Sequence, residues 1–262
     1  PGLLPRDYYL LVRADVADVQ REGVEESNNF AAYGPIPVTI REIPGEGIPL
    51  AGVMVPGGAP LFFRVVVPPG ASLRLQLRTE GEVAGTRVSA AFGAIPEVDS
   101  RDAWRKIDSN GGTLLVAGRE NGGVCYVTVA NDSVRVATPF ELAAQVGSFF
   151  LDAVSPERIT GGSESEVLLH GAGFHENLVV ELVDPLGIVH PAERMELLSG
   201  TTLAIHASMA DWPAGRYGVR IRAGTDLAVL PSAFELAQQG TPSFHATLTG
   251  PARLRAGFPD WQ

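Results

Sequence analysis

The segment Trp212-Pro213-Ala214-Gly215-Arg216-Tyr217-Gly218-Val219-Arg220-Ile221-Arg222 limits what this chain can fold into. Tyr217, Val219 and Ile221 fall on one side of an extended backbone, and Arg216, Gly218, Arg220 and Arg222 on the other. A period of two is a strand with one dry face, and that face needs a second layer to cover it. Pro213 and Gly215 turn the chain just before it. A polar turn at Ala223-Gly224-Thr225-Asp226 leads to a strand closing on Phe234-Glu235-Leu236-Ala237. The same order occurs upstream: Val124-Cys125-Tyr126-Val127-Thr128-Val129, then Asn131-Asp132, then Pro139-Phe140-Glu141-Leu142-Ala143. Both stretches read as the closing hairpin of a β-sandwich.

Further strands are expected at Val53–Val55, Leu61–Val67, Leu73–Leu77, Arg87–Phe92 and Thr113–Val116, with turns at Pro56-Gly57-Gly58, Pro68-Pro69-Gly70 and Thr79-Glu80-Gly81. Residues 93–112 read as a long polar loop with room for one helical turn near Ser100–Ile107. Fifty of the 262 residues are Gly or Pro, which suits many short strands joined by tight turns. The predicted fold class is all-β: tandem Ig-like or jelly-roll antiparallel β-sandwiches.

Three resemblances divide the chain. In residues 1–40, Tyr9 to Asp15, Glu22, Glu25 and Asn28-Asn29 follow in the order that ends a CARDB domain, the Ig-like adhesion module of bacterial surface proteins. Two strands, Tyr8–Asp15 and Ile36–Ile40, are too few to bury a core. The resemblance implies that the other strands lie upstream of Pro1. Residues 41–146 resemble the bacterial pre-peptidase C-terminal domain through Pro68-Pro69-Gly70-Ala71-Ser72-Leu73-Arg74-Leu75-Gln76-Leu77, Ala91–Pro96 and Gly122–Val129. The family's Asp-x-Asp strand is replaced by Ser89-Ala90-Ala91-Phe92, so its calcium role does not carry over. Residues 147–237 resemble an IPT/TIG domain: Val154-Ser155-Pro156, Gly161-Gly162, Val167 to Phe174 and Pro213 to Ile221 follow its signature. Residues 238–262 read as a linker and the first strand of a next module. The beginning at Pro1-Gly2 reads as an excerpt of a longer chain.

Chemistry is sparse. The formal net charge is −10, with Lys106 the one lysine, so nucleic acid and anionic membranes are not expected partners. No run approaches the ~20 apolar residues of a membrane helix. Cys125, flanked by strand residues, reads as a small core residue. His170 and His175 are five apart beside Glu176, a spacing that fits a strand-turn better than a metal site. His190, His206 and His245 read as isolated surface or strand-face residues. Gly162-Ser163-Glu164-Ser165 lacks the second glycine of a nucleophile elbow. In the 97–108 loop, Glu97, Asp99, Asp102 and Asp108 are the residues that would hold Ca²⁺, but Arg101, Arg105 and Lys106 interleave with them and balance their charge. The expectation is no catalytic, cofactor or metal residue, and no enzyme. Trp104 is expected to plug an end of its sandwich, and Asn131-Asp132-Ser133 to be a turn.

The expected function is a non-catalytic spacer and adhesive segment of a large extracellular or cell-surface bacterial protein. Its partners would be neighbouring modules, protein or carbohydrate surface ligands, or further copies. Two alternatives stand beside it. One is a carbohydrate- or protein-binding accessory of a secreted hydrolase, which exposed aromatics on one sheet face would favour. The other is a fibre subunit assembled by strand complementation.

Overall fold

The computed structural model describes residues 5–13, 30–80, 85–97, 101–107, 111–131, 133–160 and 165–237. Every regular element among them is a β-strand.

β1 (Arg6–Arg13) and β2 (Phe30–Val38) pair only with each other, antiparallel. β2 begins well before the expected Ile36. Gly34 and Pro35 lie inside it at a bulge where the register shifts between Tyr8 and Leu10. The ribbon leaves its apolar side chains in water: Tyr9, Leu10, Leu11, Val12 and Tyr33 are all more than half exposed.

The first sandwich has two sheets. One runs β3 (Arg41–Glu42), β5 (Leu61–Val67), β10 (Gly123–Ala130), β7 (Thr86–Phe92), β8 (Ala103–Ile107). The other runs β4 (Leu50–Met54), β11 (Thr138–Gly147), β6 (Ser72–Thr79), β9 (Gly111–Val116). Pairing is antiparallel except between β3 and β5. Leu73, Leu75 and Leu77 are buried and Gln76 is exposed, as period two requires, but Arg74 is half-buried and Ser72 is fully buried, its hydroxyl accepting from the Gly118 N–H. Phe63 and Phe140 meet edge to face at 6.3 Å across the two sheets.

Two expectations fail here. The polar loop contains β8, a strand at the sheet edge. Charged, solvent-facing residues on an edge strand hide its period. The upstream "hairpin" is not one either, because β10 and β11 belong to opposite sheets.

The second sandwich pairs the sheet β12 (Phe150–Ser155), β14 (Ser165–Ala172), β18 (Thr202–Ala207), β17 (Arg194–Ser199) with another sheet. That one runs β13 (Arg158–Thr160), β20 (Asp226–Ala237), β19 (Gly215–Ala223), β15 (Val179–Val183), β16 (Val189–Pro191). β19 and β20 form a hairpin across Gly224, whose φ of +58° favours glycine. Tyr217 is fully buried, its hydroxyl donating to the Pro213 carbonyl at 2.8 Å. It stacks between Trp212 at 5.6 Å and Phe234 at 5.4 Å.

Only Ser148 and Phe149 separate β11 from β12. The joint is tight. Arg74 lies 4.6 Å over the Phe150 ring and donates to the Leu151 carbonyl at 3.2 Å. A Cβ at Gly173, where φ is +76°, would fall 2.2 Å from the Ser148 carbonyl oxygen. One at Gly171 would fall 2.0 Å from that of Phe150. Ser148 is hydrogen-bonded to Asp226 at the start of β20. That strand then runs away from the joint, ending at Ala237 beside Thr160. In the first sandwich β11 ends at the joint, Gly147 opposite Ser72. The chain therefore enters the second sandwich at one pole and leaves at the other.

Candidate interaction surface

The first sandwich has an outer face that the period-two rule predicts but that composition does not advertise. In β5, Phe63, Val65 and Val67 face the core, so Phe62, Arg64 and Val66 face out. In β10 the outward residues are Val124, Tyr126 and Thr128, and in β7 they are Arg87, Ser89 and Ala91. Register then aligns them. Trp104 stands opposite Ser89, Ser89 opposite Thr128, and Thr128 opposite Phe62. Three inter-strand steps put Trp104 and Phe62 about 14 Å apart across the sheet. The next row is Ala91, Tyr126 and Arg64.

Small side chains thus form a floor between two aromatic ends. Trp104 is 50% exposed and Phe62 37%. Trp104 does not plug the sandwich as expected. β8 is an edge strand whose Ala103 and Ile107 turn inward, and that sends Trp104 outward. Arg101 stacks on its ring at 4.6 Å.

Two polar atoms at this face are buried without a hydrogen-bond partner: Thr128 Oγ1 and Arg64 Nε. A buried hydroxyl left unpaired costs about 1–3 kcal/mol. Arg64 also pairs with Glu42 at 2.8 Å. Arg87 and Lys106 lie side by side in the row beyond Ser89 and Trp104. Around the edge of β8, a cleft of about 870 Å³ opens towards the second sandwich. Trp104, Arg105 and Arg119 line one side of it, and Asp152, His170 and Thr201 the other.

The other sequence-selected residues take structural places. Asp102 accepts from the Phe92 N–H at 2.7 Å and from Arg119 at 2.9 Å. Of its companions in the supposed calcium loop, Asp99 and Asp108 lie outside the described residues, and Glu97 is exposed in an irregular stretch. Among the described residues no three His, Cys, Asp or Glu side chains gather as a metal would require. Cys125 is fully buried, and burial first, with the nearby Asp102 charge second, pushes its thiol up to about 12. It is an inert core thiol. Asn131 bonds Thr86 Oγ1 at 2.7 Å and accepts from the Ser133 N–H.

The described histidines are not isolated. His170 contacts Ser155 Oγ at 2.7 Å, while His175 accepts from the Asn177 N–H. His206 is buried, 3.8 Å from Glu166. His190 stacks on Trp212 at 4.2 Å and lies 3.3 Å from Asp184. Asp184 is buried in a turn. Burial alone would raise its carboxyl, but the Ile188 N–H, His190 and the Leu186 N–H outweigh that and hold it below the usual carboxylate range. Burial, and then the Asp184 charge, push Tyr217 up to about 12. His245 and Trp261 lie outside the described residues.

Sequence reading found Trp104 but missed Phe62 and Tyr126. The signal was there, since period two within Leu61–Val67 and Gly123–Ala130 already turns both residues away from the core.

No protein-family model matches the chain, and no curated protein matches it. Among solved structures it is similar to the pre-peptidase C-terminal domain of collagenase from Bacillus anthracis, at 13% identity over 43% of this chain and 100% of that one, TM-score 0.32. It is also similar to PliG of Aeromonas hydrophila, a periplasmic inhibitor of g-type lysozyme, at 16% identity over 41% and 97% of the chains, TM-score 0.31. A third is the adhesin domain of Epf from Streptococcus pyogenes, at 9% identity over 74% and 79%, TM-score 0.27.

Proposed function

We propose that the chain is a spacer and interaction segment of a secreted or surface-exposed bacterial protein. In this reading residues 41–146 are a pre-peptidase C-terminal-like module and residues 147–237 an IPT/TIG-like one, preceded by the end of a CARDB-like domain. The observation that carries it is the joint. Two residues link the sandwiches, Arg74 clamps Phe150 and Leu151, and Gly171 and Gly173 leave no gap for play. A hinge for catalysis or capture would place slack there. A spacer needs the reverse, and a chain that leaves the second module at the pole opposite its entry extends its reach.

The test is a distance distribution between spin labels on Val136→Cys and Leu186→Cys, both at highly exposed positions. Cys125, buried and with its thiol pushed up, stays unlabelled. The native joint should give one narrow distance, and Gly173→Val should broaden it while both sandwiches stay folded. A broad native distribution would sink the spacer reading. The closed cores, with no three His, Cys, Asp or Glu side chains gathered as a metal would require among the described residues, favour a module that binds over one that reacts.

A further inference from the structure

We infer that the outer face of the sheet β3-β5-β10-β7-β8 binds a carboxylated polysaccharide. The sugar chain would lie across the strands from Trp104 to Phe62. This rests on the reading of the first sandwich as an interaction module, and it names the partner. Sugar rings present flat C–H faces that stack on aromatic rings, and Trp104 and Phe62 offer such rings at both ends of one row. Between them Ser89 and Thr128 are short side chains that do not stand above the two rings.

Charge selects the acid form of the sugar. The chain as a whole carries −10, yet this face gathers cations. Arg101 sits on Trp104 and Arg64 flanks Tyr126, while Arg87 and Lys106, each engaged in a contact of its own, border the aromatic row on its other side. Among the described outward residues of the five strands, the carboxylate is Glu42, at the far edge and paired with Arg64. An anionic glycan meets this face favourably while the rest of the molecule repels it, which fixes where it docks. A guanidinium stacked on an aromatic ring is well placed to pair with a uronate carboxylate beside a stacked sugar.

The experiment titrates the full chain with a hexamer of galacturonic acid, its fully methyl-esterified counterpart, and a single-stranded oligonucleotide. Calorimetry and tryptophan fluorescence read the binding. The acid hexamer should bind. Trp104→Ala should weaken it at least tenfold, and Ser89→Tyr, which fills the floor from outside the core, should do the same. Each variant is checked by its unchanged melting curve. The methyl ester should bind at least fivefold more weakly, and the oligonucleotide more weakly still. No binding of the acid hexamer overturns the inference, as does binding untouched by both variants. Equal binding of the ester removes the acid selectivity and overturns it too. Equal binding of the oligonucleotide makes the face a mere polyanion surface. The spin-label distance at the joint is independent of all these outcomes, so the spacer reading can fail or survive separately.

Discussion

The two sandwiches close with nearly the same words and different architecture. Each has an aromatic strand, a polar link and a strand containing Phe-Glu-Leu-Ala. In both, the Phe and the Leu are buried: Phe140 and Leu142 in one, Phe234 and Leu236 in the other. In the second sandwich the two strands are partners, joined through Gly224 and Thr225. In the first, the longer link after Ala130 carries the chain to the opposite sheet, where β11 inserts between β4 and β6. The aromatic residue also changes sides. Tyr217 is fully buried in a column with Trp212 and Phe234, whereas Tyr126 faces out, between core-facing Cys125 and Val127. The closing strand's inward pattern is common to both modules. The strand before it is free to face its tyrosine either way, and that decides whether the aromatic supports the core or the surface.

Truncating the shared residues tests this first. Phe140→Ala and Phe234→Ala should each cost about 3–5 kcal/mol. Differential scanning calorimetry should show the first change lowering one transition and the second lowering the other. If either substitution lowered both equally, the modules would not hold separate cores.

The tyrosines should then diverge. Tyr217→Phe loses the bond to the Pro213 carbonyl and should cost about 1 kcal/mol, whereas Tyr126→Phe should stay within about 0.5 kcal/mol. Alkali separates them further. Tyr217's folded value is raised from its ordinary 10.0 to about 12. Its contribution to stability is therefore complete below about pH 10 and is lost as pH rises towards 12. Tyr217→Phe should flatten that loss for the second transition. The first module keeps an alkaline loss of its own from Cys125, beginning near its ordinary 9.0.

Acid gives the smallest contrast. Asp184 titrates below its ordinary range in the folded state. Its contribution is present above about pH 4 and disappears as pH falls through the lower folded value. Asp184→Asn should remove part of the acid sensitivity of the second transition and leave the first unchanged. An unchanged acid slope would mean that the turn, not its charge, holds His190 and Trp212.

The strands around Leu73–Leu77 and Tyr217–Ile221 were legible because each has one dry face and one wet face. β8 was not. Trp104-Arg105-Lys106 gives no alternation in polarity, and only pairing with β7 makes it a strand. The same limit hid the candidate surface. Phe62 and Tyr126 are each readable as outward-facing, but that they share a face with Trp104 depends on strand order, and no local pattern encodes which strands become neighbours. The junction was no more readable. The sequence Gly171-Ala172-Gly173 stood out only as part of the IPT/TIG-like signature, and nothing in it showed that the link between two modules would pass against these glycines.

The parallel pairing of β13 with β20 has a mechanical side. Tension on the chain would enter the second sandwich at Phe150 and leave at Ala237, the end of β20 farthest from the joint. Pulled from opposite poles, the short ladder Arg158–Thr160 against Glu235–Ala237 is loaded in shear, its bonds straining together instead of parting one after another. With a two-residue joint there is no slack upstream to absorb the load. A segment built this way would carry force before it yielded length.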